Sequence, residues 1–339
     1  MSPARMAAFR TLLRVERDEA FAAPLLSSDR LADLSPEDRG LAYELALGVL
    51  RWRGELDYLI NATTGRPAEK LNLPVRIALW LGLYQIRHLD RIPEHAAVNE
   101  SVELLKHGSH RRAAPLVNAA LRAALRDRPD APDARVRDPL NRLSIAASHP
   151  RWLLERWIER FGIDEATELA LENNRHAPTA LRVNPLRAPS RARALEELST
   201  LGVDVRDSTI APDALVVTSG HLPQSSRPVR DGWIYVQDEA SQLVAHITGP
   251  KPGDDVLDVC AAPGSKTTLM AALMGNTGRI VAIDLYRARL ATLDETCRRL
   301  AVRIVRPVAA DATRDLPLAP HVRFDRVLVD APCSGTGTL

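Results

Sequence analysis

The chain has 339 residues, 45% of them hydrophobic and 26% charged, with a formal net charge of +2. At roughly 150 residues per domain this predicts two or three domains, each able to bury a core. The composition excludes a disordered, collagen-like or disulfide-scaffold protein. The longest strongly apolar stretch, Ile77–Ile86, is about half the length that crosses a bilayer, so no membrane association is expected. The N-terminus alternates apolar and charged residues and offers no secretory core, which points to the cytoplasm.

Three cysteines, Cys260, Cys297 and Cys333, form neither a disulfide framework nor a C-x-x-C zinc pair. Reduced thiols and no metal are expected. Lys70, Lys106, Lys251 and Lys266 are the only lysines, so the basic side is nearly all arginine. Arginine suits phosphate and stacked-base recognition. The compositional habit of a GC-rich genome explains the same bias more simply, because the chain is also heavy in alanine.

The first 126 residues read as helices throughout. Leu41, Leu45, Val49, Trp52, Leu56 and Leu59 recur at spacings of three and four, which predicts one apolar helix stripe. Pro74 sits where a first-turn proline belongs. The segment Val75–Leu89 is apolar nearly all round and reads as the central buried helix. Helical patterns follow at Glu94–His107 and Pro115–Arg126. Residues 127–140 carry three prolines and alternating charge, a linker composition. A mixed α/β region spans 141–235. It has helices at Trp152–Phe161, Asp164–Asn174 and Arg191–Leu201, short strands at Ala180–Asn184 and Leu215–Thr218, and a polar loop at Ser219–Val229.

From residue 236 strands alternate with helices. The helices are Asp238–Ile247, Lys266–Leu273 and Arg287–Ala301; the strands are Asp255–Val259, Arg279–Asp284, Ile304–Ala309 and Phe324–Asp330. This is the signature of right-handed βαβ units and a parallel, Rossmann-like sheet. Cys260, Asp284, Asp311 and Asp330 fall at or just past four successive strand ends, where an open α/β sheet has its ligand crevice.

The turn Asp258-Val-Cys-Ala-Ala-Pro-Gly-Ser-Lys-Thr-Thr268 has the small residues that let a ligand approach a helix N-terminus. It is not a nucleoside-triphosphate loop. That motif needs a glycine where Val259 stands, and Ser265 separates Gly264 from Lys266. Asp284, about twenty residues on, is placed for a ribose diol, although a strand-end Asp also caps the next helix. Asp311 could hold an adenine amino group. In Asp330-Ala-Pro-Cys-Ser-Gly-Thr-Gly337, Asp330 and Cys333 emerge from a buried strand onto a glycine-rich turn, exposed enough for the thiol to react. Cys297 lies mid-helix and reads as packing.

Together these segments resemble the RNA (cytosine-5)-methyltransferase family. DVCAAPGSKTT is similar to its cofactor motif, DAPCSGTG to its catalytic-loop motif, and Val236–Leu243 to its lead-in helix. The N-terminal region resembles the NusB fold, on the strength of Pro93–Lys106 and Val117–Leu121. This fusion resembles the bacterial 16S rRNA methyltransferases and covers essentially the whole chain. The resemblance implies a multidomain protein: a NusB-like RNA-binding bundle (1–126), a linker (127–140), a small α/β domain (141–235) and a methyltransferase domain (236–339). It implies S-adenosyl-L-methionine as cofactor, held by Cys260, Ala261, Ala262, Pro263, Gly264, Ser265, Lys266, Asp284, Asp311 and Asp330, and 16S rRNA as partner of a monomer.

Ser265 departs from the family's second glycine but is also small. The family's nucleophile lies in a later Thr-Cys-Ser motif, and the sequence stops at Leu339. The expectation is therefore a C-terminally truncated, inactive chain in which Asp330 and Cys333 play supporting roles. DNA cytosine methyltransferases instead use a Pro-Cys cysteine like Cys333 as nucleophile. A non-catalytic RNA-binding protein and a small-molecule methyltransferase are the competing classes.

Overall fold

The structure, a computed structural model, describes residues 2–26, 31, 33–106, 110–175, 177–319 and 321–331. They fall into two compact units, one running up to Arg175 and one following it.

The first unit is helical: α1 (Pro3–Asp18), α2 (Ala22–Leu26), α3 (Pro36–Arg51), α4 (Arg53–Thr64), α5 (Leu73–His88), α6 (Glu94–Lys106), α7 (Ala114–Asp127), α8 (Pro139–Ala146), α9 (Arg151–Phe161) and α10 (Ile163–Glu172). As its sequence requires, α5 is buried on nearly every side, with Pro74 in its first turn. Three polar contacts anchor it, while Arg76 Nε is buried without a hydrogen-bond partner. Trp80 Nε1 donates to Asp57 at 2.8 Å, Tyr84 to Glu44 at 2.5 Å, and Arg5 Nε to Gln85 at 2.7 Å. Gly48 is needed because the Tyr84 ring lies against it; a Cβ there would come within 2.1 Å of Cζ.

One expectation is corrected here. The stripe from Leu41 to Leu59 is carried by two helices, broken at Trp52, which closes α3 and opens α4. The side-chain spacing survives the break because Trp52 still donates to Gly48 and accepts from Leu56. The proline-rich segment after α7 is bonded to its neighbours. Asp133 N–H donates to the Tyr58 hydroxyl at 3.2 Å, and Arg142 bonds the Asp133 carbonyl at 2.8 Å. Helix α8 packs on α4, with Glu55 N–H bonded to Ser148 Oγ at 2.9 Å. The first compact unit runs on through this segment to Arg175.

The second unit opens with a small antiparallel sheet. Its elements are β1 (Ala180–Val183), α11 (Arg191–Thr200), β2 (Asp204–Asp207), β3 (Ala214–Ser219), α12 (Arg227–Arg230) and β4 (Ile234–Val236), with strand order β2-β3-β1-β4. Strands β2 and β4 had no sequence signal, being polar or three residues long, and α12 closes what read as a loop. The parallel part follows: α13 (Glu239–Thr248), β5 (Asp255–Val259), α14 (Ser265–Leu273), β6 (Arg279–Asp284), α15 (Arg287–Arg299), β7 (Val305–Ala309) and β8 (Arg326–Val329). Strand order is β7-β6-β5-β8 with every pairing parallel.

Val256, Ile280, Ala282 and Leu328 face the core with α13, α14 and α15, while Leu257, Val259, Val281 and Ile283 face Leu316, Leu318 and Phe324. Cys297 is buried in the first of these cores, as its mid-helix position predicts. The chain starts at β5, runs outward to β7, then returns to lay β8 on the other side of β5. That reversal opens the crevice where α/β sheets bind ligands. Among the described residues no helix is long and apolar enough to cross a membrane.

Candidate active site

The crevice is built by the turn leaving β5. Cys260 takes a left-handed conformation (φ 65°), uncommon for a residue with a side chain, and Gly264 takes φ 101° as it caps α14. A Cβ on Gly264 would press Leu293 Cδ1 at 3.0 Å. Ala261 N–H donates to the Ile283 carbonyl at 2.8 Å, which ties the turn to the neighbouring strand. The turn thus brings Cys260–Lys266 over the carboxyl ends of β5 and β6.

Asp284 ends β6 and is only 3% exposed. Its carboxylate accepts Ala262 N–H at 3.2 Å and Tyr286 N–H at 3.1 Å, and Arg289 Nη1 lies 3.3 Å away. Asp284 therefore ties the turn leaving β5 to the segment that opens α15. A carboxylate has about four acceptor sites, so these contacts leave room for a hydroxyl. Lys266, from the first turn of α14, donates to Asp330 at 2.6 Å and so joins the β5 and β8 ends of the crevice. Asp330 is otherwise open, its side chain 51% exposed. Asp311 lies past the end of β7, with its carboxylate turned onto Thr313 and Arg314. These hydrogen bonds hold it below the usual carboxylate range. Cys333 lies outside the described residues.

Two groups under the turn carried no role in the sequence reading. Asp258, on β5, accepts the Thr267 hydroxyl at 2.6 Å, and burial pushes its carboxyl up to about 7. Arg289 grips the turn from α15, donating to the Ala262 carbonyl at 2.6 Å. Its signal was only its place in the first turn after Asp284. The Cys260 thiol is pushed up by burial and by Asp284 and Asp258, which disfavours a thiolate there.

Residues 2–126 match the NusB family, residues 149–222 the RsmF/B-like ferredoxin-like domain, and residues 245–339 the 16S rRNA methyltransferase RsmB/F family. The probable ribosomal RNA small subunit methyltransferase B of Bacillus subtilis is 34% identical over 333 residues, covering 98% of this chain and 74% of that protein. The chain belongs to the ribosomal RNA small subunit methyltransferase B family. Another member, from Pseudomonas syringae pv. tomato, is 34% identical over 339 residues, 100% of this chain and 73% of its own. Among solved structures, the crystal structure of PH0851 aligns with a TM-score of 0.76 at 26% identity, over 98% of this chain and 75% of that one. A methyltransferase homolog protein from Pyrococcus horikoshii aligns with a TM-score of 0.53 at 28% identity, over 59% of this chain and 65% of that one.

The family's cofactor is S-adenosyl-L-methionine. The residues present fit it. Asp284 keeps acceptor capacity beside the turn, and the α14 N-terminus faces the same crevice.

Proposed function

We propose that the methyltransferase site of this chain is built for methylation of C5 of a cytosine in small-subunit ribosomal RNA, on 16S rRNA and in a cytoplasmic monomer, with the attacking thiol in the family's later Thr-Cys-Ser motif and not among these 339 residues. In this reading the turn Cys260-Ala261-Ala262-Pro263-Gly264-Ser265-Lys266 cradles the cofactor, Asp284 takes its ribose, Asp311 its adenine, and Asp330 faces both cofactor and base. The division into an RNA-binding helical domain (1–126), a connecting segment, a small α/β domain and a methyltransferase domain from 236 belongs to the same proposal. The match of residues 2–126 to the NusB family supports the RNA-binding role.

The observation that carries the reading is the Lys266–Asp330 pair, 2.6 Å across the crevice between β5 and β8. The ammonium holds one carboxylate oxygen and leaves the other open to the N3 and N4 edge of a cytosine. When bound, the cofactor supplies an electrophilic methyl group. Cytosine C5 gains the nucleophilicity to take it only after a thiolate adds to C6. The base must be unstacked to enter, which favours RNA loops over duplex.

Neither described cysteine suits that attack: Cys260 is raised by burial, and Cys297 is buried and pushed up to about 11. Cys333 assists breakdown of the adduct, and the attacking thiol belongs to the family's later Thr-Cys-Ser motif. The test is a 5-fluorocytosine-substituted 16S rRNA fragment, which traps the adduct because fluorine cannot leave C5 as a proton does. With cofactor, the 339-residue chain gives no covalent band on a denaturing gel. The same chain extended through a Thr-Cys-Ser motif gives one, and Cys333→Ala keeps it. A band from the 339-residue chain that Cys333→Ala abolishes would make Cys333 the nucleophile.

A further inference from the structure

Arg182 is 2% exposed, yet among the described residues it has no carboxylate partner within salt-bridge range. Its Nε donates to Gln237 Oε1 at 2.7 Å and its Nη2 to Thr268 Oγ1 at 2.8 Å. The guanidinium lies over the Tyr235 ring, 4.9 Å from its centroid, and Nη1 has no hydrogen-bond partner. Burial with only neutral partners, and with Arg299 nearby, lowers its pKa to about 10. Taking a charge out of water without a counter-charge is costly, so this arginine is a poor stabilising device.

What it does instead is connect. Arg182 sits on β1 of the small antiparallel sheet, Gln237 precedes α13, and Thr268 lies in the first turn of α14. Thr268 has one hydroxyl proton. It accepts from Arg182 and donates to the Gly264 carbonyl at 2.6 Å. The same carbonyl accepts Thr268 N–H at 2.9 Å. The result is a directed chain from guanidinium to hydroxyl to carbonyl, ending on the residue whose left-handed conformation shapes the crevice. Such chains polarise one another and are worth more than isolated bonds.

We propose that Arg182 is a positioning residue that couples the small antiparallel sheet to the cofactor turn through Thr268 and Gly264. The inference rests on the reading of Cys260–Lys266 as that turn. It assigns the small sheet a part in cofactor affinity.

The experiment is calorimetric titration of S-adenosyl-L-methionine into the full chain, beside thermal melts. Arg182→Met keeps the length and apolar bulk and removes the donor. It melts at or above the wild-type temperature, yet binds the cofactor roughly tenfold more weakly, the loss expected for one charge-assisted hydrogen bond. Thr268→Val, which removes the middle of the chain, gives a loss of similar size. Thr268→Ser restores affinity because the hydroxyl is back. The double variant Arg182→Met with Thr268→Val is no worse than either alone, because both break one path. Unchanged affinity in a folded Arg182→Met chain, or fully additive losses, overturns the proposal. Asp284→Ala is the control: if it leaves affinity unchanged, the reading of the turn itself has failed, whereas a loss there with none at Arg182 defeats the coupling alone.

Discussion

The helical unit and the parallel sheet solve the same problem in opposite ways. Around α5 one continuous apolar core takes in Leu12, Leu45, Ile60, Ile77, Trp80 and Leu121, with a few buried polar groups such as Gln85 and Glu55 set into it. Around the turn leaving β5 buried polar groups are hydrogen-bonded: Arg182 to Gln237 and Thr268, Asp258 to Thr267, and Asp284 to the backbone of Ala262. The first arrangement stores stability. The second stores orientation, because a hydrogen bond fixes direction while a methyl contact does not. Damage to the first should appear in melting temperature, and damage to the second in ligand affinity.

The largest effect is expected in the helical core. Trp80 is fully buried, with Arg53 and Arg76 over its ring at 5.1 and 4.9 Å. Trp80→Ala removes that volume and strands Asp57, and costs about 3–5 kcal/mol of unfolding free energy. Urea denaturation followed by far-ultraviolet circular dichroism checks this. A loss near zero would deny the packing around α5 its part in the unit's stability. Next comes Gly264→Ala, which forces a Cβ into a left-handed residue against Leu293. Strain of about 1–3 kcal/mol there is expected to raise the cofactor Kd roughly tenfold, with little change in the helical transition. Equal shifts in both measurements would erase the distinction between the two regions.

A smaller, pH-dependent effect belongs to Asp258. Its carboxyl is pushed up to about 7 by burial, against an ordinary value of 3.8. Between those values the unfolded chain gives up a proton that the folded chain keeps. Stability from this group is therefore full below about pH 4, falls as pH rises, and levels off above pH 7. Asp258→Asn keeps a neutral group under Thr267 and is expected to flatten this slope in melts run from pH 5 to pH 8. An unchanged slope would place the titration elsewhere. The smallest effect is at the exposed pair Arg126–Asp127, where Arg126→Ala is expected to leave the melting temperature unmoved. A clear drop would show that α7 depends on surface charge and not on its buried face.

The two regions were also unequally legible. Helices α5, α6 and α7 could be read from sequence to within a residue or two, because apolar spacing and a first-turn proline report directly on packing. Strands β5 and β6 were read with their ends in place, since a run such as Val-Leu-Asp-Val closed by a glycine turn leaves few alternatives. The break at Trp52 was hidden because it preserves side-chain spacing. Strand β2, Asp204-Val-Arg-Asp207, was hidden because its pairing is made by backbone atoms at a sheet edge. The segment Cys260–Lys266 and Asp284 stand out in the sequence, whereas Arg289 and Arg182 do not. Their roles depend on partners 27 and 86 residues away, which no local pattern encodes.

The central claim is that the carboxyl ends of β5, β6 and β8 form the cofactor site, with Asp284 as its ribose partner. Calorimetry of S-adenosyl-L-methionine with the wild-type chain and with Asp284→Ala tests it most directly. The account predicts saturable binding by the wild type and a loss of about 1–3 kcal/mol in the variant, the cost of leaving buried polar partners unsatisfied. Equal affinity in both proteins, with both shown to be folded, would contradict it.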